Sequence, residues 1–153
     1  GEALQELATK DTAQMAALVE AAAAFDAAAT VYPRETAPLE FAQMRNASGF
    51  ARVLMAEQSH RPADFRLAVA DARQALSAQV ESGDPGNLPF IRDTLCRGLI
   101  GIGELERDRV ALAEAVAACE TAAAELGAAN HTDALAETTR NLERARSVLA
   151  SLP

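Results

Sequence analysis

Tryptophan is absent, tyrosine occurs once and phenylalanine five times, so aromatic residues make up only 4% of the 153 residues. Aromatic and β-branched side chains favour strands, and their scarcity argues against a sheet protein. There are only two cysteines, Cys96 and Cys119, and two distant histidines, His60 and His131. Without a CxxC pair they do not compose a structural zinc site, so neither metal nor cofactor is expected. Both cysteines sit in helical patterns among small or apolar neighbours. Reduced core thiols are the expectation; a disulfide would require the two helices to meet at that level. Both histidines are expected at the surface.

Positive charge is also short. Fourteen Lys and Arg stand against 22 Asp and Glu, for a net charge of −8. Nucleic-acid binding needs cations to displace phosphate counterions, and anionic membranes select for them too. Neither partner is expected. The acidity serves solubility or favours a basic partner. No apolar run approaches a membrane span in this reading, and no charged start precedes an apolar core. A cytoplasmic location is expected, although a start at Gly1 leaves room for a leader already removed. No Gly-rich phosphate loop, HExxH or nucleophile elbow occurs. Glu104 and Glu106 fall on different faces of a helix. The chain is expected not to be an enzyme.

What remains is alanine, the best helix former and one that lets helices approach closely. An all-α protein follows. Val31–Pro38, Ser59–Pro62, Ser82–Asn87 and Ala128–Thr132 break the helical pattern. They leave six helices at roughly 11–32, 37–57, 62–82, 87–105, 107–127 and 132–151, given boundaries good to a few residues. The 107 boundary lacks a strong breaker. Val110, Ala113, Val116, Ala117, Ala123 and Leu126 form the expected inward stripe of the fifth helix.

Positions 47 residues apart resemble one another: Leu18, Phe65 and Leu112; Phe41, Leu88 and Leu135; Ala21, Ala68 and Ala115; Ala28, Ala75 and Ala122. Such a period marks a stacked array whose units bury their apolar faces against neighbours. Residues 1–153 then form one helical-repeat domain of about three units, the first partial. Residues 1–10 align with 48–57, Leu7 matching Leu54, and read as a terminal cap or as the tail of a preceding unit.

Ala-Val-Ala-Ala-Cys-Glu-Thr-Ala at 115–122, with its counterparts at 68–75 and 21–28, resembles the second helix of tetratricopeptide (TPR) repeats in the long bacterial form. Leu95–Glu104 keeps the end of the first-helix pattern, and Asn141-Leu142 its start. Pro38-Leu39-Glu40-Phe41 is similar to the opening of that form. The resemblance implies a right-handed α-solenoid of antiparallel helix pairs, a TPR-like superhelix. The first helix of each unit would line a concave groove that holds a protein or peptide.

Carried over position by position, the groove would present Gln43, Asn46, Phe50 and Val53, then Phe90, Asp93, Arg97 and Ile100, then Glu137, Arg140, Arg144 and Ser147. Asn46 stands where carboxylate-clamping members carry asparagine, but the full clamp is not reproduced. Seven arginines lie on these helices: Arg45, Arg52, Arg92, Arg97, Arg140, Arg144 and Arg146. Arginine pairs bidentately with carboxylates, so a locally basic groove for an acidic segment is one reading. Solvated faces paired to Asp93, Glu137 and Glu143 are the other. Partner binding is assigned to Asn46, Phe50, Phe90, Arg97, Arg140 and Arg144. Phe50 and Phe90 are either anchors for a bound side chain or core residues. The expected function is a non-catalytic interaction scaffold. The alternatives are a self-associating module, a homo-oligomer using Leu142 and Leu149, or a small-molecule sensor or enzyme with a pocket between helices.

Overall fold

A computed structural model describes all 153 residues. It contains six α-helices and no strand: α1 Glu2–Val31, α2 Pro38–Ser59, α3 Pro62–Ser82, α4 Leu88–Glu106, α5 Arg109–Ala128 and α6 Thr132–Ser151. The chain is all-α. Prolines at the starts of α2, α3 and α4 have no N–H to lose there. The weak boundary near 107 has a local cause. Arg107 takes a left-handed conformation (φ 54°), and Asp108 caps α5 by accepting from the N–H groups of Val110 and Ala111.

Backbone conformation recurs at the 47-residue spacing. The chain has four residues with positive φ: His60 (54°), Gly83 (74°), Arg107 (54°) and Asn130 (59°). They form two matched pairs, 60 with 107 and 83 with 130. Both His60 and Arg107 donate their N–H to the carbonyl four residues back, Ala56 and Gly103.

The first helix departs from expectation. It starts at Glu2, not near residue 11, and runs unbroken through Thr12–Met15. These residues match Ser59–Pro62, but no proline or left-handed residue interrupts them, so the helix continues. Residues 1–10 are therefore the start of α1, and residues 1–14 are all exposed. The expectation about apolar runs also needs correction. α1 is the one helix long and apolar enough to cross a membrane by length and composition, its character coming mainly from alanine.

Each helix touches the next in sequence. α2 also touches α4, and α4 touches α6, whereas α1, α3 and α5 stay apart and α1 never meets α6. The core lies on α3, α4 and α5, with Ala56 of α2 and Leu142 and Ala145 of α6 joining it. Full burial of Ile91, Leu112 and Leu126 contributes about 1.5–3 kcal/mol each.

The inward face of α5 keeps Leu126 of the expected stripe, and Val116 packs half-buried against the core, but the rest of the face is different. It carries Ala111, Leu112, Ala115, Cys119, Ala122 and Leu126. Val110 is 79% exposed, and Ala113 and Ala117 face solvent. Alanine on every side makes the helical period ambiguous, and the larger Leu112 and Cys119 decide it. Leu142 is buried and Leu149 half-buried, so neither offers an exposed self-association surface.

The two cysteines are not free thiols. Cys96 of α4 and Cys119 of α5 form a disulfide, with Cα atoms 5.7 Å apart and both residues fully buried. Gly49 and Ala72 occupy the matching positions on α2 and α3, where the backbones also approach closely.

Glycines on α4 let its neighbours in. A Cβ at Gly101 would overlap the buried Phe65 ring of α3, and one at Gly103 would overlap Leu112 of α5. Gly101→Ala is expected to destabilise by about 1–2 kcal/mol, overpacking outweighing the roughly 1 kcal/mol gain in helix propensity. Urea unfolding checks it; an unchanged midpoint would show that Phe65 can move aside.

Candidate functional site

α2, α4 and α6 together frame a cleft of about 200 Å3. Its floor includes Phe65, Ile100 and Gly101, and its walls carry Glu57, Arg97, Glu137, Arg140 and Arg144. Three of the six residues assigned from sequence, Arg97, Arg140 and Arg144, thus line one site.

Arg97 is the central pin. Its Nη2 donates to Glu57 Oε1 at 2.6 Å, its Nη1 lies 3.6 Å from Glu137 Oε1, and its guanidinium stacks 5.4 Å from the Phe50 ring centroid. The side chain is only 14% exposed and ties α2, α4 and α6 together. Arg144 makes a bidentate pair with Glu104, at 2.8 Å for both bonds. This pair is the Glu57–Arg97 pair moved along by 47 residues at both ends. The hydrogen bonds it donates to Glu104 hold the Arg144 guanidinium above its ordinary pKa despite burial.

The other assigned residues are placed differently. Phe50 is 42% exposed and bound to the site through Arg97. Phe90 does not line the cleft; it is 37% exposed and packs edge-on against His131 at 5.6 Å. The two rings are surface residues and not core. Asn46 is half-buried, and its Oδ1 is enclosed without a hydrogen-bond partner.

The face is not a basic groove. Arg45 and Arg52 pair with Asp26 and Asp71, Arg92 with Glu125, and Arg146 with Glu120. At the cleft, Glu57, Glu104 and Glu137 balance Arg97, Arg140 and Arg144. Arg140 alone among these arginines has no ion pair or hydrogen bond to the protein. The intramolecular partners are mostly not Asp93, Glu137 and Glu143. For Arg97 and Arg144 they lie 40 residues back, at Glu57 of α2 and Glu104 of α4, whereas Arg45, Arg52, Arg92 and Arg146 find theirs on α1, α3 and α5. Glu57 and Glu104 are themselves 47 apart, which was the available signal.

Beside the cleft, Asp93 Oδ1 accepts from Thr138 Oγ1 at 2.9 Å and Asn141 Nδ2 at 3.1 Å, joining α4 to α6. Burial pushes the Asp93 carboxyl above its ordinary pKa. The hydrogen bonds from Asn141 and Thr138 and the charge of Arg97 do not fully offset it, and Glu137 adds to the rise. A raised folded-state pKa means stability present at low pH and lost as pH rises through it. Asp93→Asn keeps an acceptor without the charge. It should be more stable than wild type at pH 7, the gap closing as pH falls through the raised value. Melting curves from pH 3 to 8 check this; an equal gap at all pH values would contradict it.

No family model, curated protein or solved structure matches this chain.

Proposed function

We propose that the chain is a TPR-like α-solenoid that binds a protein segment across the face built from α2, α4 and α6. The observation that carries this reading is the arrangement of that face. Alternate helices meet there and stay apart on the other side, as expected for the inner wall of a curved stack. The matched left-handed turns and the Glu57–Arg97 and Glu104–Arg144 pairs support it further. The chemistry favours a segment with charges of both signs and an apolar side chain for the Phe50 ring. A non-catalytic role is part of the proposal, because the charged cleft residues other than Arg140 serve as one another's partners.

A photo-crosslinking residue at position 50 or 140, in native lysate, should capture one common partner. The same residue at 67 or 110, exposed on α3 and α5, should not. Equal capture at all four sites, or none, would overturn the reading. Arg140→Glu is the cleaner disabling variant, since Arg97 and Arg144 also hold helices together. It should weaken capture while moving stability by no more than about 0.5 kcal/mol.

Self-association is the second reading. It now rests on α1, where Leu4 and Leu7 are 71% and 55% exposed. Sedimentation from low to high concentration distinguishes it. On location, the Cys96–Cys119 bond favours an oxidising compartment over the cytoplasm, where thiols are kept reduced.

A further inference from the structure

α1 is the least buried helix of the protein. Only Ala22 and Ala29 of its thirty residues are buried, against three of twenty on α6, eight on α3 and six on α5. Alanine contributes little apolar area, and the larger Met15, Leu18 and Phe25 are only half-buried, so this contact is thin for a helix of thirty residues. One α1 side chain, Asp26, hydrogen-bonds beyond its own helix. Its carboxylate accepts from Arg45 Nη1 at 3.0 Å, Ser48 Oγ at 2.8 Å and Arg52 Nη2 at 2.5 Å. Arg52 also donates to Asp71 of α3, and Arg45 lies 3.6 Å from the same carboxylate. The cluster is therefore the link between α1 and α3, which do not touch directly. It is imperfectly satisfied, for Arg45 Nε is enclosed without a partner.

The next helices are held differently: Arg73 of α3, 47 residues on from Asp26, makes an exposed bidentate pair with Glu114 of α5 at 2.5 and 2.8 Å. Ser48, Arg52 and Asp71 correspond to Leu95, Leu99 and Ala118, and a disulfide joins α4 to α5. The connection from α1 to α2 is separately anchored, because Arg34 bonds Ser77 and Glu81 of α3. The anchor supplies a pivot that stays in place if α1 moves.

We propose that α1 is a releasable strap, latched by Asp26, Arg45, Arg52 and Asp71 and pivoting at the Arg34 link. It opens as a unit while α2–α6 stay folded. Opening bares Arg45, Ser48 and Arg52 beside Asp71, leaving two guanidinium groups against one carboxylate. Sub-global opening of a weakly packed element below the global unfolding free energy is an established behaviour of native proteins.

The test is hydrogen exchange on the full chain with the disulfide intact. Amides of residues 18–31 should exchange at least about tenfold faster than those of residues 95–103 and 111–122, as a locally opening unit does. Asp26→Asn should accelerate residues 18–31 about tenfold further and leave α4 and α5 unchanged. Glu20→Gln, on the same helix but without a cross-helix bond, should change nothing. If Asp26→Asn does not fold, 1 M salt on wild type supplies the second arm, because it screens partly exposed charges. It should accelerate α1 selectively. A common exchange rate for α1 and α4–α5 would overturn the proposal. So would an Asp26→Asn effect that is absent or spread over all helices.

Discussion

Replacing Cys96 and Cys119 together by alanine is expected to lower stability by about 3 kcal/mol. The bond spans a sequence separation of 23 residues, and closing a loop of that size removes roughly this much unfolded-state freedom in the chain-entropy account. For a chain of this length, Tm should fall by roughly 10 °C. The fold should survive, because Gly49 and Ala72 pack α2 on α3 at the matching level with no covalent bond. Calorimetry with and without reductant checks the effect. Reductant should lower the wild-type Tm to that of the variant and leave the variant unmoved. Equal Tm values for wild type and variant under oxidising conditions would show that the crosslink constrains nothing.

Arg52→Met is expected to cost about 3 kcal/mol, for a different reason. The side chain is 21% exposed and Asp71, its partner, 9%. Removing one member of a largely desolvated ion cluster leaves the others uncompensated, and that penalty exceeds the net worth of the pair. Asp26 and Asp71 would be left to share Arg45. Replacing the whole cluster should behave oppositely. Asp26→Ala, Ser48→Leu, Arg52→Leu and Asp71→Ala in one chain borrow the leucines and the alanine that stand at 95, 99 and 118. Arg45 keeps its stack on Phe41 at 5.6 Å and enough exposure to reach water. This variant should fall within about 1 kcal/mol of wild type, since apolar replacements of buried ion clusters are often neutral or stabilising. Chemical denaturation of both variants decides the matter. A quadruple variant less stable than Arg52→Met would show that the charges contribute net stability.

The same cluster shapes the acid response. Burial raises the Asp26 pKa, but the hydrogen bonds from Arg52 and Ser48 and the charges of Arg52 and Arg45 hold it below the ordinary carboxylate value. Its stabilising contribution is thus present above the unfolded-state pKa and lost as pH falls through the lowered folded value. Asp93 acts in the opposite direction.

Most helix boundaries were legible because proline and left-handed residues act within one turn of the chain. The start of α1 is not legible because it depends on the absence of a breaker at Thr12–Met15, and alanine-rich segments carry no positive signal of continuity. The α5 stripe is poorly legible because alanine on all sides gives no contrast. Comparing Leu112 and Cys119 with Phe65 and Ala72 across 47 residues would have resolved it. That comparison also sets Cys96 and Cys119 against Gly49 and Ala72, a small pair where two helices meet closely. Of the cleft, Arg97, Arg140 and Arg144 were found by position. Among their acidic counterparts Glu137 is legible by the same placement, whereas Glu57 and Glu104 are not, because charge compensation is a property of neighbouring helices, invisible within one.

The glycines of α4 carry a mechanical implication. Val69 and Phe65 enter beside Gly98 and Gly101 from one flank, and Leu112 enters beside Gly103 from the other. A helix notched on two sides cannot turn about its own axis without expelling both sets of knobs. α4 therefore behaves as a keyed shaft, and any widening or narrowing of the cleft must come from α2 and α6 swinging about it.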